Sequence, residues 1–404
     1  GNHPPLLPGL HPGRLRNNGF GSGWLHKRGC LVLSDLRSAT LHDGQDLTSG
    51  LLKSLEQVGN LNGRPARRAV LMHDFSIDWI VRVSEFESFV NKARTVLRQG
   101  GGLLPDSAQT MQQGGCAANT ATTLATLGVA THFICRTDEV GLHMMQYYLG
   151  SAGVHLDHVK TDGDHARVMV LEVGKDATNI MVNDQDSFAP FGFSDLDESD
   201  LELISEADLV GIFDWTLNGQ GTDLAARLLS SLGSDRPVTY LDTSDPAPRA
   251  GEVPELYEQV LSHGHLDHLS VNEHELRQYT GATAQTDSLE ELLELSNYLN
   301  GKLHANVNVH TSRFSIAFEN GSLHVVPTYD IEPRRSTGAG DTWNGANLAG
   351  MLMGLSAPER LLLANATAAY YVESMPGARP SRQEVARFIE DRAGDLRPLG
   401  RAGA

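Results

Sequence analysis

The amino-acid sequence predicts an α/β protein with a parallel β-sheet covered by helices on both faces. Two observations support this class: from residue 69 onward, short β-rich runs alternate with helix-like stretches, and those stretches are long enough to cross over between parallel strands. The predicted strands are 69–72, 131–135, 209–212, 238–241, 269–271 and 306–310. The predicted helices are 117–127, 142–151, 223–231 and 288–299.

One segment departs from this alternation. Residues 167–173 and 179–182 are both β-rich, and a five-residue connection containing Gly174 joins them without a helix. The pattern predicts a hairpin that leaves the α/β core and would cover a binding site as a lid.

The first 66 residues differ in composition from the rest. Their first acidic residue is Asp35, and the stretch before it is rich in Gly, Pro and Asn. It lacks the apolar core of a secretory signal. We interpret residues 1–66 as an irregular N-terminal extension with a short helix around residues 51–57, and residues 392–404 as a C-terminal tail.

Composition and charge exclude several classes of function. Fifty acidic and 32 basic residues give a net charge of −18, which disfavours binding to nucleic acid or to an anionic membrane. No apolar run approaches the roughly 20 residues that a membrane-spanning helix needs. The three cysteines, Cys30, Cys116 and Cys135, show no C-x-x-C spacing, which argues against a disulfide framework or a zinc site. These features predict a cytoplasmic protein with reduced thiols.

The stretch 336–341, Ser-Thr-Gly-Ala-Gly-Asp, carries the most functional information. Small residues let the backbone approach a ligand closely, and a helix is predicted to begin near Thr342, where its free N–H groups would attract an anion. Asp341 would then either cap the helix or accept a proton from a hydroxyl that attacks a bound phosphate. On this segment alone the two interpretations are about equally supported.

Further polar groups occur where ligands meet open α/β sheets. Gly114 and Gly115 open a helix whose first turn carries Asn119, although glycine turns before helices are common without a ligand. Asp78 follows the first strand, where a carboxylate would accept hydrogen bonds from two sugar hydroxyls or simply face solvent. Asn272 and Glu275 follow a later strand and would hold water around Mg²⁺ or form a plain helix cap.

Several common catalytic motifs are missing from the sequence. It contains no G-x-x-x-x-G-K-[ST] loop and no G-x-G-x-x-G after a strand, so P-loop and dinucleotide-binding interpretations lose their main support. There is also no G-x-S-x-G motif of a hydrolase.

Taken in chain order, these elements resemble the ribokinase-like, or PfkB, carbohydrate kinase family over roughly residues 68–391. The matching positions are Asp78, then Gly114, Gly115, Asn119 and Gly128, then Asp138 and Gly141, Asp242, Asn272 and Glu275, Gly338 to Asp341, and finally Asn365 with Gly377 and Ala378. The resemblance implies a kinase domain of residues 67–391 with a three-layer α/β/α core. It also implies a small β-sheet lid formed from about residues 80–113 and 165–184.

The resemblance also implies roles for individual residues. Asp341 would be the catalytic base, and Gly338, Ala339 and Gly340 would form the anion hole. The expected acceptor-binding residues are Asp78, Gly114, Gly115 and Asn119. The expected nucleotide-binding residues are Asn272, Ser312 and Asn365, and Glu275 would hold Mg²⁺ through water.

Two departures from the family pattern concern its cation and nucleotide sites. Arg335 stands where relatives carry an acidic residue that helps to bind a monovalent cation, which argues against activation by K⁺. The nucleotide loop T-x-G-x-x-G is replaced by residues 310–315, in which Ser312 and Ser315 take the places of both glycines.

The sequence therefore predicts an ATP- and Mg²⁺-dependent kinase that phosphorylates a hydroxymethyl group of a sugar or sugar-like acceptor. A nucleoside kinase of the same family is the alternative, and a non-catalytic nucleotide- or sugar-binding regulatory protein is a third hypothesis. The predicted partners are small molecules, with neither nucleic acid nor membrane among them, and a second copy of the chain bound through the lid.

Overall fold

The computed structural model describes residues 39–42, 44–59, 67–104, 107–174, 178–184, 189–282, 288–335, 337–374 and 378–399. Cys30, Ser336 and Gly377, which the sequence analysis singled out, lie outside these ranges.

The described chain alternates strands and helices. Its strands are β1 Ala39–Leu41, β2 Arg68–His73, β3 Ser76–Val83, β4 Ala108–Gly114, β5 Ala130–Arg136, β6 Val159–Lys160, β7 Ala166–Val173, β8 Thr178–Asp184, β9 Leu209–Ile212, β10 Val238–Asp242, β11 His268–Asn272, β12 Asn306–His310, β13 Phe314–Glu319 and β14 Ser322–Pro327. Its helices are α1 Gly44–Gly59, α2 Phe86–Arg98, α3 Cys116–Thr126, α4 Glu139–Tyr148, α5 Glu198–Ser205, α6 Gly221–Ser231, α7 Val253–Leu256, α8 Glu273–Thr280, α9 Leu289–Asn300, α10 Ala339–Leu352, α11 Ala357–Glu373 and α12 Arg382–Asp391.

Within the described ranges, ten strands form one sheet in the order β1-β14-β13-β12-β11-β10-β9-β2-β5-β6. The six strands predicted for the core all lie in it and pair in parallel with one another, whereas β13 runs antiparallel to both of its neighbours. From β2 the chain first adds β5 and β6 on one side and then crosses to β9 on the other. The strand order therefore reverses between β2 and β9, and ligands bind at such switch points in open α/β sheets.

Alternate residues of the central strands support two separate hydrophobic cores. In β2, Ala69 and Leu71 pack with one core, while Val70 and Met72 pack with the other. Helices α1, α3, α4, α10, α11 and α12 contribute to the first core, and α5 to α9 contribute to the second. The predicted three-layer α/β/α arrangement is thus confirmed.

The predicted lid is a separate four-stranded sheet with the order β4-β3-β7-β8. Its central pair, β3 and β7, is parallel, and both outer pairs are antiparallel. The lid begins at Ser76, earlier than the predicted residue 80, because β3 leaves the core almost directly after β2.

The predicted N-terminal extension is wrong over residues 39–59. Strand β1 adds in parallel to β14, and α1 buries Leu51 and Leu55 against the core. These leucines lie one helical turn apart, so a single face of α1 packs inward. The predicted C-terminal tail also belongs to the fold through residue 399, because Arg397 N–H donates to the Thr328 carbonyl at 2.8 Å and Leu396 packs on the core.

We expect Leu51→Ala to destabilise the folded domain by about 2–5 kcal/mol, as fully buried leucines do when truncated. A dispensable extension would predict no change in the free energy of unfolding. Urea unfolding measures the difference, and Lys53→Ala on the exposed side of α1 is the matched control. Equal midpoints for both variants would contradict the packing of α1.

Among the helices of the described ranges, none combines the length and the hydropathy required to cross a bilayer.

Candidate active site

Polar side chains lie at the carboxyl ends of four neighbouring strands of the large sheet, around its switch point. Asp74 follows β2, Asp214 follows β9, and Asp242 and Asn272 end β10 and β11. The N-terminal turns of α3 and α10 meet at this edge, since Asn119 of α3 donates a hydrogen bond to Asp341 of α10. This edge therefore combines carboxylates with two helix ends that carry free N–H groups.

The glycine turn before α10 has the backbone geometry of an anion cradle. Gly338 adopts a left-handed conformation (φ 80°), and a Cβ atom there would lie 2.8 Å from the Tyr371 hydroxyl. A Cβ atom on Gly340 would come within 3.0 Å of Cε1 of His310. Glycine therefore lets Tyr371 and His310 approach this turn closely, and the N–H groups in the first turn of the helix that follows would attract an anion.

Helix α10 begins at Ala339, three residues before the predicted start. Asp341 therefore lies in the first turn and does not cap the helix; the cap residue is Gly338, which offers no side chain. The Asp341 carboxylate instead accepts a hydrogen bond from Nδ2 of Asn119 at 2.9 Å. Of the two interpretations left open by the sequence, the helix cap is excluded.

The electrostatics of Asp341 suit proton transfer near neutral pH. Burial raises the pKa of Asp341 to about 7; the hydrogen bond from Asn119 and the charge of Arg379 oppose this shift, while the carboxylates of Asp242 and Asp74 add to it. A carboxylate with such a pKa accepts a proton more readily than an exposed aspartate and is still largely ionised in slightly alkaline solution.

Asp78 lies on β3 at the junction of core and lid. Its Oδ1 accepts a hydrogen bond from the Ser76 hydroxyl at 3.0 Å, and burial raises the pKa of Asp78 to about 6. Gly114 pairs with Ser76 across the lid, and a Cβ atom at Gly114 would overlap both the Asp78 carboxylate and the Ser76 hydroxyl. Glycine at 114 thus leaves the Asp78 carboxylate in place.

Asp74, which the sequence analysis missed, holds the glycine pair and α3 together. Its two carboxylate oxygens accept hydrogen bonds from the N–H groups of Cys116 and Ala117, the latter at 2.9 Å. Gly115 has φ 96°, and a Cβ atom there would lie 2.5 Å from the Asp74 carbonyl oxygen. Asp74 therefore caps α3 from the connection between β2 and β3, and only glycine at 115 permits the close approach.

Asp214 is a second acidic residue that the sequence analysis missed. It is 4% exposed in a left-handed conformation (φ 52°), and its Oδ1 has no hydrogen-bond partner within the described residues. Ligand atoms of Asp74, Cys116 and Asp214 lie within 4.8 Å of one another. Burial and the charge of Asp74 raise the pKa of Asp214 well above its usual range. A hydroxyl donor bound here would pair with the Asp214 oxygen.

Asn272 and Glu275 form a reciprocal cap at the start of α8. Asn272 Oδ1 accepts from the N–H groups of His274 and Glu275, while the Glu275 carboxylate accepts from the Asn272 backbone N–H at 2.9 Å and from its Nδ2 at 2.7 Å. Burial and nearby carboxylates, Asp242 foremost, raise the pKa of Glu275 well above its usual range. A cation at this edge would relieve that repulsion, and with both oxygens already hydrogen-bonded, Glu275 suits contact through water.

Asp242 stabilises the position of α10. Its oxygens accept hydrogen bonds from Nδ2 of Asn344 at 2.6 Å and from the Ser244 N–H at 2.9 Å. Because Asn344 lies one turn after Asp341, this bond fixes the first turn of α10 over the edge of the sheet.

The two remaining predicted nucleotide contacts differ in position. Ser312 is exposed in the turn between β12 and β13, beyond His310, whose ring faces Gly340. Asn365 is buried: its Oδ1 accepts from Ser315 and Trp343, and its Nδ2 donates to the carbonyls of Val326 and Pro327. All hydrogen-bonding capacity of the Asn365 side chain is thus used inside the protein, and its contact to nucleotide stays a prediction.

Comparison with known proteins agrees with this fold. A model of the pfkB family of carbohydrate kinases matches residues 88–383. Among solved structures, the ribokinase of Arabidopsis thaliana complexed with ribose and ATP is similar at 21% identity and a TM-score of 0.62, covering 81% of this chain and 99% of that chain. The adenosine kinase of Sinorhizobium meliloti is similar at 17% identity and a TM-score of 0.64, covering 80% and 99%.

The nucleoside kinase of Methanocaldococcus jannaschii is similar at 16% identity and a TM-score of 0.59, covering 82% of this chain and 100% of that chain. At these identities the similarity shows a common fold. No curated protein sequence matches this chain.

Proposed function

Because this chain belongs to the pfkB family of carbohydrate kinases, we propose that it transfers the γ-phosphate of ATP to a hydroxymethyl group of a sugar or sugar-like acceptor. The observation that supports this best is the placement of Asp341. Its carboxylate is held by Asn119 in the first turn of α10, directly after a glycine turn, where the N–H groups of the helix start would attract phosphate.

In the proposed reaction, Asp341 accepts the proton of the acceptor hydroxyl as its oxygen attacks the γ-phosphorus. The bond between the γ-phosphorus and the bridging oxygen breaks, and ADP leaves with that electron pair. The N–H groups at Gly338, Ala339 and Gly340 stabilise the charge on the transferring phosphoryl group. Mg²⁺ bound near Glu275 and Asn272 would supply further charge stabilisation to the phosphates.

On the acceptor side, we assign two neighbouring hydroxyls to Asp78 and a third contact to Asp214. Gly114 and Gly115 give the acceptor access to the backbone, and Asn119 orients the base. Asn272 and Ser312 are the proposed contacts to nucleotide. A cytoplasmic location remains a prediction.

The alternative acceptor is a nucleoside. Its support is that adenosine and nucleoside kinases are among the similar structures, at identities comparable to those of the ribokinases. In that case Asp78 would bind the ribose hydroxyls, and the nucleobase of the acceptor would lie under the lid.

Measuring ADP release with ATP, Mg²⁺ and a panel of sugars and nucleosides tests the proposal. ADP release that requires a sugar supports it, and a response to nucleosides alone selects the alternative. If no acceptor stimulates release and calorimetry detects no ATP binding, the non-catalytic hypothesis replaces both.

We also propose that turnover does not require K⁺. The guanidinium of Arg335 lies 5.3 Å from the centre of the Tyr371 ring. The Tyr371 hydroxyl donates to the carbonyl of Thr337, directly before the glycine turn 338–340 (the phosphate turn). A fixed positive charge is thus already present at this turn. Replacing K⁺ with tetramethylammonium in the acceptor assay should leave the rate unchanged, and a strong K⁺ requirement would refute this.

We further propose a homodimer formed through the lid. Met111, Trp79, Met169 and Val182 are register neighbours across all four lid strands, and each is about half exposed. Such a continuous apolar row on one sheet face is typical of an interaction surface.

Sedimentation velocity should therefore show a wild-type dimer and a monomeric Trp79→Ser/Met169→Ser double variant. Leu97→Ser, which removes an exposed apolar side chain from α2 outside the row, should remain dimeric. A monomeric wild type at all concentrations tested would refute the proposal.

A further inference from the structure

Arg379, between α11 and α12, reaches the proposed base through a relay of two hydrogen bonds. Its guanidinium Nη2 donates to Oδ1 of Asn119 at 2.6 Å, and Nδ2 of Asn119 donates to Oδ2 of Asp341 at 2.9 Å. Gln113 Nε2 also donates to Asn119 Oδ1, at 3.0 Å. These contacts connect three parts of the chain that are far apart in sequence.

The relay fixes the orientation of the Asn119 amide. If the amide turned over, its NH₂ group would face the guanidinium, donor against donor, and its oxygen would face the Asp341 carboxylate, acceptor against acceptor. A cation on the amide oxygen makes that alternative costly, since charge-assisted hydrogen bonds are about twice as strong as neutral ones. Arg379 therefore selects the orientation in which Asn119 donates to Asp341.

Tyr371 holds Arg379 in position and connects it to the phosphate turn. The Arg379 guanidinium lies 5.1 Å from the centre of the Tyr371 ring, and Arg335 lies 5.3 Å from the same ring. The Tyr371 hydroxyl donates to the carbonyl of Thr337 at 3.0 Å, directly before Gly338. One tyrosine thus sets the position of both the arginine and the glycine turn.

The charged groups around Asp341 are mostly acidic. Four titratable groups interact electrostatically with Asp341: Asp74 after β2, Cys116 on α3, Asp242 on β10 and Glu275 on α8. Asp214 after β9 acts on Asp74 and Cys116, and His310 at the end of β12, whose pKa burial lowers to about 4, lies against Gly340. Arg379 is the cation that acts on Asp341, and Arg335 acts on Arg379 in turn.

We propose that Arg379 is a positioning residue, which acts through Asn119 to orient and stabilise the carboxylate of Asp341 as the base. This proposal rests on the proposed function for its catalytic consequence. It also states that the pKa of Asp341 depends on Arg379, and this dependence can be measured without turnover.

The test compares Arg379→Gln, Arg379→Lys and wild type in profiles of kcat/KM against pH. Loss of the cation favours protonated Asp341, so the acid limb of Arg379→Gln should move up by about half a pH unit or more. Arg379→Lys keeps the charge and should stay close to wild type. Arg387→Gln, which removes a guanidinium from an exposed position of α12, should leave the limb in place.

A carboxyl ¹³C NMR titration of Asp341, assigned with Asp341→Asn, gives the same comparison in the absence of activity. A higher Asp341 midpoint in Arg379→Gln supports the relay even if no acceptor is found, in which case only the proposed function fails. An unchanged midpoint in a folded Arg379→Gln protein overturns the proposal, as does an Arg379→Lys midpoint equal to that of Arg379→Gln.

Discussion

Replacing Asp341 with Asn is expected to lower kcat by about 10²- to 10⁴-fold, the usual contribution of a general base. The asparagine fills the same space but cannot accept the proton of the acceptor hydroxyl. Because the glycine turn and Asp78 are unchanged, binding of ATP and of the acceptor should persist. Single-turnover measurements at saturating substrates separate this loss of chemistry from a loss of binding.

The pH dependence follows from the pKa of about 7 at Asp341. The base is ionised above that pH, so kcat/KM of the wild type should fall as the pH drops below about 7. The stability of the fold changes with pH in the opposite direction to the activity. The unfolded chain releases the Asp341 proton near its ordinary pKa of 3.8, whereas the folded protein retains it up to about pH 7. The free energy of unfolding therefore falls as the pH rises from about 4 to about 7. Because asparagine carries no charge to bury, Asp341→Asn should raise the melting temperature at pH 8.

Asp223→Asn is the matched control for this substitution. Asp223 lies in the first turn of α6, as Asp341 does in α10, but it is exposed and pairs with Arg227 on its own helix. It should leave both kcat and the pH profile unchanged. Wild-type turnover in Asp341→Asn would refute the assignment of Asp341 as the base. A lowered melting temperature of this variant would show that the carboxylate stabilises the folded protein.

The sequence predicted those features that depend on local chemistry. Residues 336–341 and the glycine pair at 114 and 115 stand out because a close backbone approach demands glycine. The core strands were equally visible, since strands buried on both faces read as short β-rich runs. The order of these elements along the chain was enough to predict the fold, which the large sheet and the pfkB family match confirm.

Contacts between distant parts of the chain were not visible in the sequence. Asp74 and Asp214 approach each other only because β2 and β9 are neighbours in the sheet, and Arg379 reaches Asn119 across 260 positions of the chain. The internal role of Asn365 was equally invisible: its four hydrogen-bond partners come from β13, β14 and α10, which the sequence does not show to be its neighbours. Helix α1 was underestimated because the strand it accompanies, β1, has only three residues.

Gly114→Ala is expected to reduce kcat/KM for the acceptor by about 30- to 1,000-fold, because the new Cβ atom displaces the Asp78 carboxylate. Hydrogen bonds to charged groups contribute about 1.5–3 kcal/mol each, and losing one or two of them partially costs about 2–4 kcal/mol. The loss should appear mainly in KM for the acceptor, since Asp78 is the proposed contact to the acceptor and not to the phosphates. The KM for ATP should change little.

A double-variant cycle determines whether the alanine acts through Asp78. Once the carboxylate is gone, its displacement has no further consequence, so Gly114→Ala/Asp78→Ala should be no worse than Asp78→Ala alone. Gly233→Ala, at an exposed position where a Cβ atom meets nothing within 4 Å, controls for the general effect of adding a methyl group. Additive losses in the double variant would mean that Gly114 contributes to acceptor binding independently of Asp78, through its backbone.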